Sequence, residues 1–341
     1  MPYLFVHFRE TPKPEGEQVH FGLSKDGFRW ETVNQGNPVL WSTQGEKGVR
    51  DFTIVRTHWG RFYLFATDLS LANCFNTKYK GDWANIGREG SKQLMYWESE
   101  DLVHWSGQKT LPLGEEFGCC WAPDVFFDDG TEEYVLHWSS SRKDDDYRTK
   151  AIYYTKTKDF KRFSPPELLC RNPLGDYIDS CIVKHEGWYY RFLKAAPAPE
   201  QVVLEKGRTL TGEYERLEAF DREMKRQNTG KLEGPTCYRL PDGRFCVMID
   251  FFGCPREEMR YEPFVAEHIE KGDFVRADGI GTYPFLKAED ENQDAPEEFA
   301  GGKFYFPYGF KHGTVMEITE EEYRRIKEFA DWEAENAPSV G

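Results

Sequence analysis

The sequence has no long hydrophobic run, no paired-cysteine motif and no excess of positive charge, and each absence argues against a class of protein. No stretch of the 341 residues approaches the roughly 20 apolar residues of a membrane span. The eight cysteines show no CxxC spacing, which argues against a zinc ribbon or a disulfide framework and favours reduced, buried thiols. A net charge of −15 argues against a nucleic-acid or anionic-membrane partner.

Several short catalytic motifs are missing as well. The chain has no GxxxxGK[ST] or GxGxxG element, so nucleotide chemistry lacks its phosphate cradle. It has no GxSxG nucleophile elbow and no HExxH ligand pair. The N-terminal MPYLFVHFRE has no basic region and only a short apolar run, so we expect no signal peptide and a cytoplasmic location.

Aromatic residues are abundant, at 16% of the chain, and they recur in a repeated pattern. Each repeat has an acidic or nearly acidic start, a short apolar strand, a turn with glycine and an aromatic-rich strand, which is the pattern of a β-hairpin. Five segments show it: 50–68, 122–140, 177–194, 233–252 and 297–310.

A second unit lies between these hairpins, and in its clearest copies an aspartate is followed four residues later by an aromatic residue. Clear copies lie at 21–33, 96–108 and 153–166, and weaker ones at 202–218 and 264–276. Five pairs of inner and outer hairpins are typical of the four-stranded blades of a β-propeller. We therefore predict an all-β fold, a five-bladed β-propeller spanning 1–341 as a single catalytic domain.

The two ends of the chain add a strand and a helix to this prediction. The strand-like segment 3–8 is placed to complete the last blade and close the ring. Only the C-terminal segment 319–335 reads as a helix, with Thr319 as N-cap and Ile326 and Phe329 on one face.

Four acidic residues stand near the starts of four predicted blades: Asp51, Asp124, Asp179 and Glu233. The first strand of each blade lies nearest the propeller axis, so these side chains are expected to converge. Like charges at close range raise one another's pKa values, and buried carboxylates are costly, so the cluster is a candidate functional site. Two of the acids could hydrolyse a glycosidic bond while a third tunes the proton donor, but the same acids could make a metal site.

Four fragments resemble the signature of glycoside hydrolase family 43: VRDFTIVR (49–56), WAPDVFF (121–127), YIDSCIV (177–183) and EGPTCYRL (233–240). They occur in the family's order and span roughly 20–320. The resemblance implies an inverting glycosidase with Asp51 as general base, Glu233 as general acid and Asp179 as the carboxylate that tunes the acid's pKa. Phe52 and Ser180 stand where the family often has proline, which leaves the subfamily and the sugar open.

The resemblance also implies substrate-binding residues. Trp121 would stack on a sugar ring, Asp124 would bind its hydroxyls or anchor the loop, and Phe52 would wall the pocket. The alternative for the first two is a packed core tryptophan and a turn-forming aspartate. His312 resembles the family's axial histidine. We expect no required cofactor and no firm metal site, and leave open a structural calcium or sodium ion on the axis near His312.

The expected function is removal of terminal sugars from short plant-derived oligosaccharides, with α-L-arabinofuranosidase first and β-xylosidase or exo-β-galactosidase as alternatives. A noncatalytic carbohydrate-binding propeller is the alternative of another class. A sugar phosphorylase or transferase would need a basic cluster in the funnel, for which Arg50, Arg56, Arg256 and Arg260 are available.

Overall fold

Most strands pair in antiparallel fashion with the next strand along the sequence, as the hairpin pattern predicts. A computed structural model describes residues 1–9, 13–197, 200–227, 231–252, 260–277, 280–282, 304–306 and 310–332. Within these residues, five antiparallel sheets of four strands form a five-bladed propeller. The predicted fold class is confirmed.

Four blades use consecutive strands, numbered from the innermost outward. The first contains β4 (Val49–Arg56), β5 (Phe62–Asp68), β6 (Gln93–Ser99) and β7 (Lys109–Pro112). The second contains β8 (Trp121–Asp128), β9 (Glu133–Ser141), β10 (Lys150–Thr157) and β11 (Glu167–Cys170). The third contains β12 (Asp176–His185), β13 (Trp188–Ala196), β14 (Gln201–Gly207) and β15 (Tyr214–Arg216). The fourth contains β16 (Lys231–Arg239), β17 (Phe245–Phe252), β18 (Arg260–Ala266) and β19 (Val275–Arg276).

The fifth blade joins the two ends of the chain. Its innermost strand is β22 (Phe310–Glu317), followed outward by β1 (Tyr3–Arg9), β2 (His20–Ser24) and β3 (Glu31–Thr32). Tyr3 pairs with Glu317 in the antiparallel ladder. The expectation that the N-terminal strand closes the ring is confirmed.

The strand pairing predicted for the fifth inner hairpin, 297–310, is wrong for the residues that the structure describes. Within it the structure describes 304–306, which form β21 (Phe304–Phe306), and the backbone of residue 310. Strand β21 pairs in parallel with β20 (Ile280–Thr282) rather than within an antiparallel hairpin. The aromatic content of the segment suggested an inner strand, but the strand that pairs with β1 is β22.

The outer hairpins turn through the repeated aspartate. Asp26, Asp101 and Asp159 each accept two backbone N–H hydrogen bonds from the residues two and three positions ahead. A short side-chain carboxylate that bonds its own turn in this way favours a tight connection over a longer strand. This explains the repeated spacing of the second sequence unit.

The apolar core is divided among the blades. Five large clusters of buried apolar side chains lie between neighbouring blades, and the one between the fifth and first blades also covers the C-terminal helix. Each strand therefore buries one face against the next blade, and the blade faces hold the ring together.

The described part of the chain has three α-helices outside the sheets: α1 (Trp83–Glu89), α2 (Glu218–Gln227) and α3 (Glu320–Glu328). Helices α1 and α2 were not predicted, because both lie in connections between strands. None of the helices in the described ranges has the length and apolarity needed to cross a lipid bilayer.

The C-terminal helix starts where the sequence predicts and ends earlier. Thr319 Oγ1 accepts a hydrogen bond from Glu322 N at 3.2 Å, and Thr319 N donates to Glu322 Oε2 at 2.7 Å, which is a capping box. The helix ends at Glu328 instead of 335, because Phe329 is extended; residues 333–335 lie outside the described ranges. Ile326 is fully buried and Phe329 packs against the same core cluster, as predicted.

Thr319→Ala should lower the free energy of unfolding by about 1 kcal/mol, because it removes the N-cap. Chemical denaturation followed by circular dichroism measures this. Glu321→Ala is the matched control, since Glu321 is exposed and its ion pair with Arg325 is expected to contribute less than about 1 kcal/mol. Equal effects of the two substitutions would contradict the capping role.

Candidate active site

Each of the five innermost strands has a β-bulge at the same place, near the end of the strand where the predicted acids lie. The ladder skips from Arg50 to Thr53 in the first blade, with equivalent skips before Asp124, Cys181, Thr236 and Gly313 in the other four. In the first four blades the first skipped residue has a positive φ near 50°, an uncommon conformation that redirects the side chain out of the ladder. These four residues are Asp51, Ala122, Asp179 and Gly234.

The bulges border one cavity on the propeller axis. Five predicted site residues line it: Asp51, Phe52, Asp124, Asp179 and His312. Glu233 directly precedes Gly234, which also lines the cavity. The structure therefore brings Asp51, Asp179, Glu233 and His312 together, although their strands belong to four different blades.

His312 links two carboxylates. Its Nε2 lies 2.6 Å from Asp51 Oδ1, and its Nδ1 lies 3.3 Å from Asp250 Oδ2. Burial lowers the pKa of His312, but the two carboxylates outweigh burial and hold its pKa well above the ordinary value. Burial raises the pKa of Asp51, but the charge and hydrogen bond of His312 outweigh it and leave this pKa below its ordinary value. Asp51 is therefore held as a carboxylate.

Two lysines surround Glu233. Lys194 Nζ lies 2.7 Å from Glu233 Oε2, and Lys311 Nζ lies 4.0 Å from Glu233 Oε1. Lys311 Nζ is closer to Asp250 Oδ2, at 2.6 Å, and the Asp250 side chain is fully buried. Glu233 keeps 17% of its side chain exposed and Asp51 keeps 14%, so both remain accessible from solvent.

Asp179 has a different environment. It has no lysine, arginine or histidine partner at ion-pair distance within the described ranges. Its Oδ2 accepts a hydrogen bond from Gly234 N at 3.2 Å, and its own N–H donates to Ser139 Oγ at 3.0 Å. Burial is the main cause that raises the pKa of Asp179 to about 6, and neighbouring Glu233 adds to it. Asp179 therefore holds a proton more readily than an ordinary aspartate does.

Comparisons with known proteins agree with this arrangement. Residues 1–324 match the protein family described as "Probable glycosyl hydrolase domain", a relative of glycoside hydrolase family 43. The chain belongs to this family. The resemblance seen in the four sequence fragments is thereby confirmed.

The similarity of this glycosyl hydrolase domain to a curated protein covers part of the chain. An α-L-arabinofuranosidase of Bifidobacterium longum is 30% identical over 214 residues, which are 56% of this chain and 19% of that protein. The chain thus spans about a fifth of the length of this curated relative.

Two solved structures share the fold. A bifunctional family 43 and CE protein of Bacteroides eggerthii is 14% identical with a TM-score of 0.52, covering 83% of this chain and 34% of its own. The catalytic domain of a family 62 α-L-arabinofuranosidase of Coprinopsis cinerea is 13% identical with a TM-score of 0.52, covering 73% and 77%.

Asp124 does not occupy the position expected in this glycosyl hydrolase domain. The residue equivalent to Asp51 and Asp179 is Ala122, and Asp124 lies two residues further along β8. It also lines the axial cavity, where its carboxylate accepts hydrogen bonds from Thr53 Oγ1 at 2.9 Å and from the backbone N–H of Ile182 at 3.4 Å. Burial raises the pKa of Asp124 to about 6. Asp124 thus joins three neighbouring inner strands, which fits the anchoring alternative.

The two aromatic candidates lie in different places. Phe52 lines the axial cavity, but its side chain is 2% exposed and packs in the core between the fifth and first blades, so a role of its ring as a pocket wall stays a prediction. Trp121 is not among the residues that line the axial cavity. It packs against a small cluster that contains Tyr79 and Ile86, with its ring 6.3 Å from that of Trp83. This position fits the packing alternative, and stacking on a sugar stays a prediction.

Sequence reasoning missed Lys194, Asp250 and Lys311. Lys194 and Asp250 stand on second strands, directly opposite the residue that precedes a bulge, and reach the bulge of the next blade. Thr67 and Ser139 occupy the same position in the first two blades and accept hydrogen bonds from the backbone N–H groups of Ala122 and Asp179. The available signal for Lys194 and Asp250 was a charged residue near the end of a mostly apolar, aromatic strand.

The sequence analysis leaves open an axial ion near His312. Ligand atoms of Glu233, Asp250 and His312 lie within 4.8 Å of one another, which is close enough to hold a metal ion. Lys311 and Lys194 place positive charge next to Asp250 and Glu233 and compete with a metal ion for these carboxylates. A structural calcium or sodium ion at this place stays a prediction.

Gly234→Ala should reduce kcat/KM by about 100-fold or more, because small displacements of a catalytic group can cost that much. A Cβ at this position would lie 2.0 Å from His312 Nδ1, so the ring would have to move. Steady-state kinetics on a nitrophenyl glycoside measures the effect.

Gly243→Ala is the matched control for this substitution. Gly243 also has a positive φ, at 88°, but a Cβ there would meet no atom within 4 Å. We expect some loss of stability and unchanged kcat/KM. A fully active Gly234→Ala protein, or equal losses of activity in both variants, would contradict the conclusion that the missing side chain of Gly234 leaves room for the His312 ring.

Proposed function

We propose that this chain is an inverting, exo-acting glycoside hydrolase that releases terminal sugars from short plant-derived oligosaccharides, with α-L-arabinofuranosides as its first substrates. Asp51 is the general base, Glu233 the general acid and Asp179 the carboxylate that tunes the acid. The observation that carries the proposal is the unequal environment of three partly exposed acids around one axis. His312 keeps Asp51 ionised, whereas Asp179 has no cationic partner in the described ranges and keeps a pKa of about 6.

The proposed reaction is a single displacement. The Glu233 carboxyl donates its proton to the glycosidic oxygen as the bond from that oxygen to the anomeric carbon breaks. Water attacks the anomeric carbon from the opposite face and gives its proton to the Asp51 carboxylate. An ionised Asp179 beside Glu233 favours the protonated form of the acid by repulsion.

The choice of sugar rests on relatives. The Bifidobacterium protein is named as an α-L-arabinofuranosidase, and this is why we place arabinofuranosides before β-xylosides and β-galactosides. A cytoplasmic location, expected from the sequence, stays a prediction. So does the absence of a required cofactor.

A phosphorylase would need a cation in the funnel that is available to inorganic phosphate. Arg56 pairs with Glu322 on α3, and Arg50 lies against Phe8 and 3.7 Å from Glu17. Arg256 and the Arg260 side chain lie outside the described residues. Lys194 and Lys311 are already paired with carboxylates, so hydrolysis is the better supported reaction.

Glu233→Ala should lower kcat/KM about 100- to 10,000-fold on a glycoside with a poor leaving group, because general acid catalysis contributes about that much. The loss should be much smaller on a dinitrophenyl glycoside, whose leaving group needs no proton. Asp51→Ala should lose activity on both substrates, since the attacking water is no longer activated. Steady-state kinetics with the two leaving groups separates the two roles.

Asp129→Ala is the control for these variants. Asp129 is an exposed acid in the turn after β8, and its loss should leave the kinetics unchanged. Circular dichroism verifies that each variant is folded. A folded Glu233→Ala protein with full activity on the poor leaving group would overturn the assignment of the acid.

A panel of nitrophenyl α-L-arabinofuranoside, β-xyloside and β-galactoside should show the highest kcat/KM with the arabinofuranoside. Proton NMR during the first turnovers should show the product with inverted anomeric configuration, because the proposed mechanism has one displacement. Retained configuration would contradict the single displacement. Sugar binding without hydrolysis would favour the noncatalytic propeller, and a requirement for inorganic phosphate would favour a phosphorylase.

A further inference from the structure

Glu233 forms an ion pair with Lys194, which favours the ionised carboxylate, although a proton donor must be protonated before it reacts. A general acid must carry a proton, yet Lys194 Nζ lies 2.7 Å from Glu233 Oε2 with only 10% of the lysine side chain and 17% of the glutamate side chain exposed. A short, largely buried ion pair stabilises the carboxylate form. The lysine must therefore affect the reaction.

Lys194 is held firmly in this position. It lies on β13, and its Nζ lies 4.1 Å from the ring centre of Phe252 on the next blade. Burial lowers the pKa of Lys194, but Glu233 and Asp179 outweigh burial and leave its pKa above the ordinary value. The ammonium group therefore stays charged in the range in which the enzyme works.

The other charged groups around Glu233 come from three inner strands of other blades and from the second strand of its own blade. Lys311 and His312 lie on β22, Asp250 on β17, Asp179 on β12 and Asp51 on β4. Lys311 and His312 are closest to Asp250 and Asp51, respectively, and so offset those acids first. The buried Tyr261 hydroxyl donates to Gly234 O at 2.9 Å, so it faces the same strand as a neutral group. Lys194 is the cation nearest to the Glu233 carboxylate among the described residues.

We propose that Lys194 is a positioning residue that holds the Glu233 carboxylate in the resting enzyme, stabilises the anion left after proton donation and sets the alkaline limit of activity. This inference rests on the proposed role of Glu233 as general acid. The Lys194 ammonium group, 2.7 Å from Glu233 Oε2, stabilises the anion that remains after proton donation and opposes the return of a proton to it. An ionised Asp179 has the opposite effect, because its negative charge favours the protonated form of Glu233.

Lys194→Met tests the proposal, because methionine keeps much of the aliphatic stem and removes the charge. The alkaline limb of kcat/KM against pH should move upward by about 1–3 units, the usual effect of one nearby opposite charge. The maximal kcat on a poor leaving group should fall, since Glu233 becomes a weaker acid. The acidic limb, which belongs to Asp51, should not move.

Two further variants separate charge from structure. Lys194→Arg keeps the positive charge, so its alkaline limb should stay within a few tenths of a unit of the wild-type position. Lys184→Met removes a similar lysine from the same blade, where Lys184 Nζ lies 2.8 Å from Asp128 Oδ1 away from the axial cavity. Its pH profile should be unchanged. An alkaline limb that does not move in Lys194→Met, or that moves equally in Lys184→Met, would overturn the proposal.

A second readout does not depend on turnover. Carbon-13 NMR of protein labelled at glutamate carboxyls, with Glu233→Gln used to assign the signal, follows the titration of Glu233 directly. This titration should shift upward by about 1–3 pH units in Lys194→Met. If no glycoside is hydrolysed but the titration shifts, the proposed function fails and the ion-pair role stands. If glycosides are hydrolysed and the titration does not shift, only the role of Lys194 fails.

Discussion

The arrangement of the site depends on how the negative charges of the axial carboxylates are balanced by nearby cations. Four carboxylates converge on the axis: Asp51, Asp179, Glu233 and Asp250. Without nearby cations, their mutual repulsion and their burial would destabilise the folded state. His312, Lys194 and Lys311 supply three positive charges, and each lies within 2.7 Å of a carboxylate oxygen. The remaining acid of these four, Asp179, has a raised pKa, as does Asp124 in the same cavity. The distribution of cations thus gives each acid its own chemical character, although all four have similar intrinsic acidity.

Much of the fold could be predicted because its signals are local. Alternating apolar strands with glycine turns define the hairpins, and Asp26, Asp101 and Asp159 mark the outer turns through hydrogen bonds to residues two or three positions ahead. The convergence of Asp51 and Asp179 was also predictable, since both stand at the same position of their strands. Their roles came from family resemblance, because carboxylates alone fit several chemistries.

The rest depends on contacts between blades, which no local pattern encodes. Lys194 on β13 contacts Glu233 of the next blade, directly before the bulge of β16. The burial of Phe52 in the core depends on the equivalent bulge of β4, since a change of register moves a side chain to the other face. Trp121 packs against the cluster that includes α1, a helix in a connection whose path the strand pattern does not specify.

The closure of the ring on β22 ties the chemistry to the completion of the fold. His312 lies on this last strand of the propeller, yet it pairs with Asp51, which lies 261 residues earlier in the chain. Closing so large a loop costs more chain entropy than closing a local one. The first four blades contain the acids, but the imidazole that controls Asp51 comes from the strand that closes the ring. The environment of Asp51 is therefore complete only when the circle is closed.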